Sequence, residues 1–309
     1  MIESVGIVGL GALGVLYADT FTRALGKEKV KVLANSDRIS RYRQEGVWFN
    51  GERCDFGYAD AARETQPLDL LMFSTKFGGL QDAAAECGHL VGPDTIILSI
   101  LNGILSEQVL GEAFGPEKLV WCIAQKMAAM KEGNRAVCMQ KGELAIGVPA
   151  GGDVRRLRAL TDFFDSIGFP YSLPEDIRLA KWSKLICNTG CNQVSMVYAC
   201  NYRPLQQPGE LRDLMVSAMR EVVTVANAEG IPLSEQDIRS WLAVVDAFPP
   251  DGEPSMRQDG KARRKSEVEL FSGTIRRLAR KHNLSVPVND WLYGRVQEIE
   301  SHYASASPK

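Results

Sequence analysis

The stretch "VGIVGLGALG", residues 5–14, constrains the fold most: an apolar run passes into three glycines at the spacing G-x-G-x-x-G. Val5-Gly6-Ile7-Val8 suits a strand buried on both faces, and residues 12–25 carry apolar side chains at helical spacing. Gly9, Gly11 and Gly14 therefore fall where a strand hands over to a helix, the context that makes this spacing informative. There Gly9 permits a tight turn, Gly11 lets the backbone approach a pyrophosphate, and Gly14 lets the helix pack closely on the sheet. Amides at the helix start face the anion. With Leu10, Ala12 and Leu13 between the glycines, the segment reads as a dinucleotide-binding loop. Nicotinamide is favoured over FAD, because no second flavin signature accompanies the fingerprint.

The pattern repeats through the first half. Residues 30–33, 69–74 and 95–100 read as strands, with a helical stretch at about 79–88, so a Rossmann-type doubly wound parallel sheet is expected. Two β-rich stretches flanking Lys141-Gly142 predict a hairpin added to that sheet. Beyond about Tyr171 long helical patterns take over, at 177–199, 209–229, 234–247, 261–283 and 288–304. Gly230-Ile231-Pro232 stops one helix, and Ser234 with Asp237 resembles a capping box. The 309 residues exceed what one core usually serves. The expected class is α/β: a dinucleotide-binding domain over 1–173, then an all-helical substrate and catalytic domain over 174–309. Apolar stripes such as that on 209–229 are compatible with burial within one chain or across a homodimer. The tail, 305–309, is expected to fray.

Composition narrows the partners. No apolar stretch approaches the roughly 18 residues a membrane span needs, and a net charge of −2 offers nothing to nucleic acid. The first residues lack a basic leader and run into a strand, which suits a cytoplasmic protein. Seven scattered cysteines read as thiols in a reducing compartment, and Cys187 with Cys191 lacks a nearby histidine, so no metal is expected. The basic run at 261–265 reads as the solvated or substrate-facing start of a helix.

Two places carry the remaining chemistry. At the end of the second strand, Asn35-Ser36-Asp37-Arg38 lies where a carboxylate selects NAD and an arginine NADP. Asp37 and Arg38 point in opposite directions, and the uncharged Asn35 tips the reading toward NADP, with Arg38 and Ser36 as phosphate partners and NAD as the other option. In the helical half, Lys184, Asn188 and Asn192 stand at i, i+4 and i+8, on one face of a continuous helix. A desolvated lysine there is suited to protonating an alkoxide formed when hydride reaches a ketone.

These motifs, taken in order, resemble the ketopantoate reductase (2-dehydropantoate 2-reductase) family along nearly the whole chain. The matches are Gly9-Leu10-Gly11-Ala12-Leu13-Gly14, Lys76 after the Asp69-to-Ser74 strand, Asn102-Gly103, the Lys184/Asn188/Asn192 series, Ser255-Met256-Arg257-Gln258-Asp259 and Ser266-Glu267-Val268-Glu269. The resemblance implies NADPH-dependent reduction of ketopantoate to (R)-pantoate, a step toward pantothenate and coenzyme A. By it, Lys184 supplies the proton, and Glu267 binds the substrate hydroxyl and holds Lys184. Asn188 and Asn192 orient the substrate, Ser255 holds its carboxylate, Asn102 sits between nicotinamide and substrate, and Lys76 lies near the cofactor. Family members commonly carry arginine where this chain has Asn35. A reductase of another branched 2-oxo acid and a non-catalytic NADP(H) sensor are the alternatives, and retention of both Lys184 and Glu267 argues against the sensor.

Overall fold

The computed structural model describes residues 2–304; the tail expected to fray, 305–309, lies outside them. Two compact units are present. One comprises the chain up to Asn102 with Ser106–Ile177, the other Gly103–Leu105 with the chain from Arg178 onward.

The first unit runs β1 (Val5–Val8), α1 (Ala12–Leu25), β2 (Val30–Ala34), α2 (Ser36–Glu45), β3 (Trp48–Phe49), β4 (Glu52–Arg53), β5 (Gly57–Asp60), β6 (Leu70–Phe73), α3 (Leu80–Cys87), β7 (Ile96–Ser99) and α4 (Ser106–Phe114). It continues through β8 (Trp121–Gln125), β9 (Ala128–Glu132), β10 (Arg135–Gln140), β11 (Glu143–Gly147), α5 (Val154–Ser166) and β12 (Tyr171–Ser172). The central sheet is parallel, in the order β5-β2-β1-β6-β7. Its strands alternate between two cores, as a period of two requires. Val5, Ile7, Leu70 and Met72 join the aromatic cluster of Tyr17, Phe21, Phe163 and Phe164, while Val8, Leu71 and Phe73 pack with Leu80 and Leu90. β1 and β6, buried along their length, carry no polar side chain, which explains their continuous apolar runs.

The expected hairpin across Lys141-Gly142 does not form. β10 pairs with β9 and β3, whereas β11 pairs with β8 and β12, so the flanking strands lie in two separate small sheets. Gly142 makes the crossing, with φ of +63°. A Cβ there would stand 2.2 Å from the Gln125 carbonyl oxygen, so the chain passes too close to β8 to carry a side chain.

The second unit is helical. It holds α6 (Ile177–Cys187), a π-helical turn (Asn188–Asn192), α7 (Gln193–Val197), α8 (Arg203–Gln206), α9 (Glu210–Ala228), α10 (Glu235–Asp246), α11 (Ser255–Lys261), α12 (Ser272–Lys281) and α13 (Pro287–Ala304). Ser234 and Asp237 do form the capping box that starts α10. The α9 stripe, including Met215, Met219, Val222 and Val225, is buried within the single chain. The basic run is not a helix start: Lys261 closes α11, and Arg263 turns out of it at φ +50°. A lysine suits a helix C-terminus, where the backbone dipole is negative, and Lys261 also pairs with Glu253 at 2.5 Å. Among the described residues no helix is long and apolar enough to cross a membrane.

Buried polar groups tie three of these helices together. The Glu221 carboxylate on α9 accepts from the backbone N–H of Val288 and Asn289, each at 2.8 Å, and from Asn289 Nδ2 at 2.7 Å. It thereby caps the first turn of α13 from a neighbouring helix. Fully buried Asn289 accepts in turn from Ser272 Oγ of α12 at 2.8 Å. Glu221→Ala is expected to cost about 3 kcal/mol, since it strands donors that now meet a charged acceptor, those of the buried Asn289 among them; urea unfolding reads it.

A second carboxylate makes stability depend on pH. Burial pushes the Glu229 carboxyl up, but hydrogen bonds from Lys281 and His282 outweigh it and leave the group below its ordinary value of 4.5. Because the folded value is the lower one, this stabilisation is complete above the unfolded value and is lost as pH falls through the folded one. Glu229→Gln is therefore expected to lower the urea midpoint at about pH 7, with the gap to wild type closing by about pH 3.

Candidate active site

The glycine-rich loop divides its labour in a way that the side-chain space makes plain. Gly9 sits at φ +95°, and a Cβ there would lie 2.8 Å from the Ser74 carbonyl oxygen. One on Gly14 would lie 2.1 Å from the carbonyl oxygen of Gly9, so close packing of α1 on the loop requires both. Gly11 differs. Its φ of −68° is ordinary, and the nearest atom to an added Cβ is Ser74 O at 3.7 Å. Nothing inside the protein demands glycine at position 11, which leaves the bare backbone there open to a group from outside. α1 starts at Gly11 without a side-chain cap and without an acidic residue in its first turn, leaving the positive end of its dipole unopposed. Just beyond β6, the buried Thr75 Oγ1 has no hydrogen-bond partner among the described residues. A dinucleotide fits this set: its pyrophosphate needs the amides and bare Gly11, and a hydroxyl or phosphate oxygen would satisfy Thr75. Thr75 is a residue that sequence reasoning missed, since one threonine after an apolar strand looks like any turn residue.

At the end of β2, local structure consumes part of the expected phosphate grip. Asn35 caps α2, its Oδ1 accepting from the Arg38 backbone N–H at 3.0 Å. The Ser36 hydroxyl donates to Asp60, a bond that, with one from the Ala62 N–H, holds the Asp60 carboxyl below its usual range. Ser36 is thus engaged with a carboxylate, contrary to its expected phosphate role. Arg38 is exposed on the first turn of α2. Lys76, also exposed, precedes the 3-10 turn Phe77–Gly79. Asn102 is half-buried three residues beyond β7 and stands before Gly103. Gly103 takes φ +80° and lies so near Leu270 that a Cβ would meet its carbonyl oxygen at 3.0 Å.

In the helical unit the Lys184, Asn188 and Asn192 series departs from the expected uniform helix. Half-buried Lys184 lies on the last turn of α6, but Asn188 and Asn192 begin and end the π turn, whose wider winding breaks the 3.6-residue register. Side chains compensate for the disturbed backbone: Gln193 Nε2 donates to Thr189 O at 2.7 Å, and Ser195 Oγ to Asn192 O at 2.9 Å. Gly190 admits α9 at close range, since a Cβ would meet Met219 at 2.8 Å and Met215 at 3.1 Å. Asn192 is brought together with Ser255: its Oδ1 accepts from Ser255 Oγ at 2.8 Å and from the Met256 N–H at 3.1 Å, starting α11. Asn188 is the contrast. Its Nδ2 is buried and has no partner among the described residues. Glu267 is half-buried and leads into the 3-10 turn Val268–Leu270. Its segment is anchored by Ser266, whose N–H donates to Glu300 at 2.8 Å and whose hydroxyl donates to it at 2.5 Å. Between these residues, Cys187 and Cys191 approach to 4.0 Å. The hydrogen bond shared with Cys187, then burial, push the Cys191 thiol well up, which makes it unreactive.

Comparison with known proteins finds a match for each half of the chain. The family described as ketopantoate reductase PanE/ApbA matches residues 5–151, and its C-terminal counterpart matches residues 176–300. A 2-dehydropantoate 2-reductase of Aquifex aeolicus is 26% identical over 300 residues, covering 95% of this chain and 96% of the relative. Among solved structures, a PanE/ApbA family ketopantoate reductase from Ralstonia eutropha superposes with a TM-score of 0.84 at 23% identity, covering 97% of this chain and 99% of that one. A D-mandelate dehydrogenase in ternary complex with NADH and anilino(oxo)acetate gives the same TM-score at 22% identity and the same coverage.

Proposed function

The chain belongs to the ketopantoate reductase family, and from that premise we propose that it reduces 2-dehydropantoate to (R)-pantoate with NADPH, for pantothenate and coenzyme A synthesis. The observation that carries the reading is the Asn188 amide, a buried donor left without an acceptor one turn beyond Lys184. Leaving such a group unmet costs free energy, and an oxygen of a 2-oxo acid is the acceptor it suits.

In this reading NADPH, when bound, supplies the hydride for the carbonyl carbon. Lys184 Nζ delivers a proton to the carbonyl oxygen, so that the product is the 2-hydroxy acid. Asn188 donates to the substrate, and Ser255, whose one hydroxyl proton goes to Asn192 Oδ1 in the structure, holds the carboxylate by turning that proton from Asn192 to it. Glu267 accepts from the substrate's distal hydroxyl and orients Lys184, with Ser266 and Glu300 steadying its segment. The glycine-rich loop, Arg38, Lys76 and Asn102 serve the dinucleotide.

A second reading keeps the chemistry and changes the substrate. The fold neighbour that carries anilino(oxo)acetate acts on a 2-hydroxy acid with an aryl group, so a branched or aryl 2-oxo acid is the alternative. Loss of nicotinamide absorbance with ketopantoate, run with NADPH and NADH side by side and then with other 2-oxo acids, tests both. Rapid turnover of ketopantoate is expected; turnover of only the other acids would move the assignment to the second reading, and none at all, with nucleotide still bound, would sink both.

A further inference from the structure

The turn that carries Glu267 is held at both ends. On one side, Ser266 gives its N–H and its hydroxyl to the Glu300 carboxylate on α13, at 2.8 and 2.5 Å. On the other, the Leu270 N–H donates to the carbonyl oxygen of Glu267 at 2.9 Å, closing the 3-10 turn Val268–Leu270. Leu270 is fully buried, and Gly103 lies against its backbone. A Cβ on Gly103 would stand 3.0 Å from the Leu270 carbonyl oxygen and 3.3 Å from the Leu270 Cβ, a range at which the neighbour must give way. The φ of +80° makes a second demand for glycine, since a side chain there crowds its own backbone. Gly103 packs with the helical unit, to which residues 103–105 belong, and not with the sheet that precedes it.

Backbone position matters more for Glu267 than for an ordinary surface acid. A carboxylate that recognises one hydroxyl must be held to within about half an ångström, because a hydrogen bond weakens steeply as its length and angle depart from the optimum. Leu270 cannot shift without drawing on the Glu267 carbonyl to which it is bonded. Pressure on Leu270 from position 103 is therefore felt at Glu267. We propose that Gly103 is a positioning residue: by letting Leu270 seat closely, it places the Glu267 carboxylate to accept from the substrate's distal hydroxyl, and so sets the preference for a hydroxylated 2-oxo acid over its deoxy counterpart. Gly103 also follows Asn102 directly. The residue assigned to the nicotinamide and the seat of the turn that reads the substrate thus share one stretch of backbone. The proposal rests on the function above, in which Glu267 meets that hydroxyl, and deepens it.

Steady-state rates of the full chain with ketopantoate and with 3,3-dimethyl-2-oxobutanoate, which differs from it only in lacking that hydroxyl, test it. Wild type is expected to favour ketopantoate in kcat/KM by at least about tenfold. Gly103→Ala is expected to lose about tenfold on ketopantoate and less than about twofold on the deoxy acid. In a Glu267→Ala background the same substitution is expected to move the preference no further, because its effect passes through Glu267. Equal loss on both acids would overturn the proposal and leave Gly103 a structural turn. A change of preference that persists without Glu267 would also overturn it, as would a wild type that turns over both acids alike. Should Gly103→Ala not fold, Gly103→Asn brings the same Cβ with less backbone strain, since asparagine tolerates positive φ, and the same selective loss decides. A failure of the function itself looks different: wild type then turns over neither acid.

Discussion

Lys184→Ala is expected to lower kcat by about 10²–10⁴-fold, the contribution typical of a positioned proton donor, while NADPH affinity changes by less than about threefold. The separation follows from where the groups lie. Lys184 belongs to α6 of the helical unit, whereas the glycine-rich loop belongs to the other. A steady-state assay beside a direct titration of NADPH checks it. Comparable losses in both would show that the variant had damaged the dinucleotide site or the fold instead of the proton transfer. Retained turnover would remove Lys184 from the mechanism and direct attention to another acid.

The second large effect concerns Gly11. Its φ of −68° and ψ of −172° are those of an ordinary helix N-cap, and no neighbour crowds its missing side chain. Gly11→Asp should therefore fold: a carboxylate at that position can accept from the first-turn amides and oppose the positive end of α1. The same carboxylate occupies the place of the pyrophosphate and carries the same sign of charge. Dinucleotide affinity is expected to fall by at least about a hundredfold, from lost amide contacts and added repulsion together, while Tm holds or rises slightly. Gly14→Ala provides the opposite pattern. A Cβ 2.1 Å from a backbone oxygen has no room, so α1 must move and Tm falls with binding. If Gly11→Asp bound NADPH normally, the loop would be a structural turn and not a phosphate cradle.

Most of the fold was legible because its signals are local. The strand-to-helix passage at residues 5–25, the buried runs of β6 and β7, and the Ser234 capping box each rest on residues a few positions apart. What escaped depends on distance along the chain. Nothing near Lys141-Gly142 reveals that β10 and β11 belong to different sheets, since that is decided by β8 and β9. Lys131 stands 121 residues beyond the Leu10 carbonyl it bonds, too far for any motif spacing to register. Ser36 looked available until folding brought Asp60 against it. The helical half of the site was legible only as a list of residue types. Spacing marks Lys184, Asn188 and Asn192, but a five-residue turn and a four-residue turn look alike in so short a segment, so the π turn that interrupts the helix leaves no mark in the sequence. Their roles came from the family resemblance, and the structure adds that Asn192 is committed to Ser255 while the Asn188 donor is not committed at all.

That π turn also sets a rule for which lengths this segment can tolerate. Each residue removed from a helix rotates everything beyond it by about 100°. Deleting one residue between Asn188 and Asn192 would let α6 and α7 fuse into a regular helix with better backbone bonding. It would also swing Asn192 away from Ser255 and Met256, which rely on its carbonyl oxygen to begin α11. The segment is thus closed to shortening. A variant one residue shorter could melt at a higher temperature and still have no organised start to the Ser255 helix.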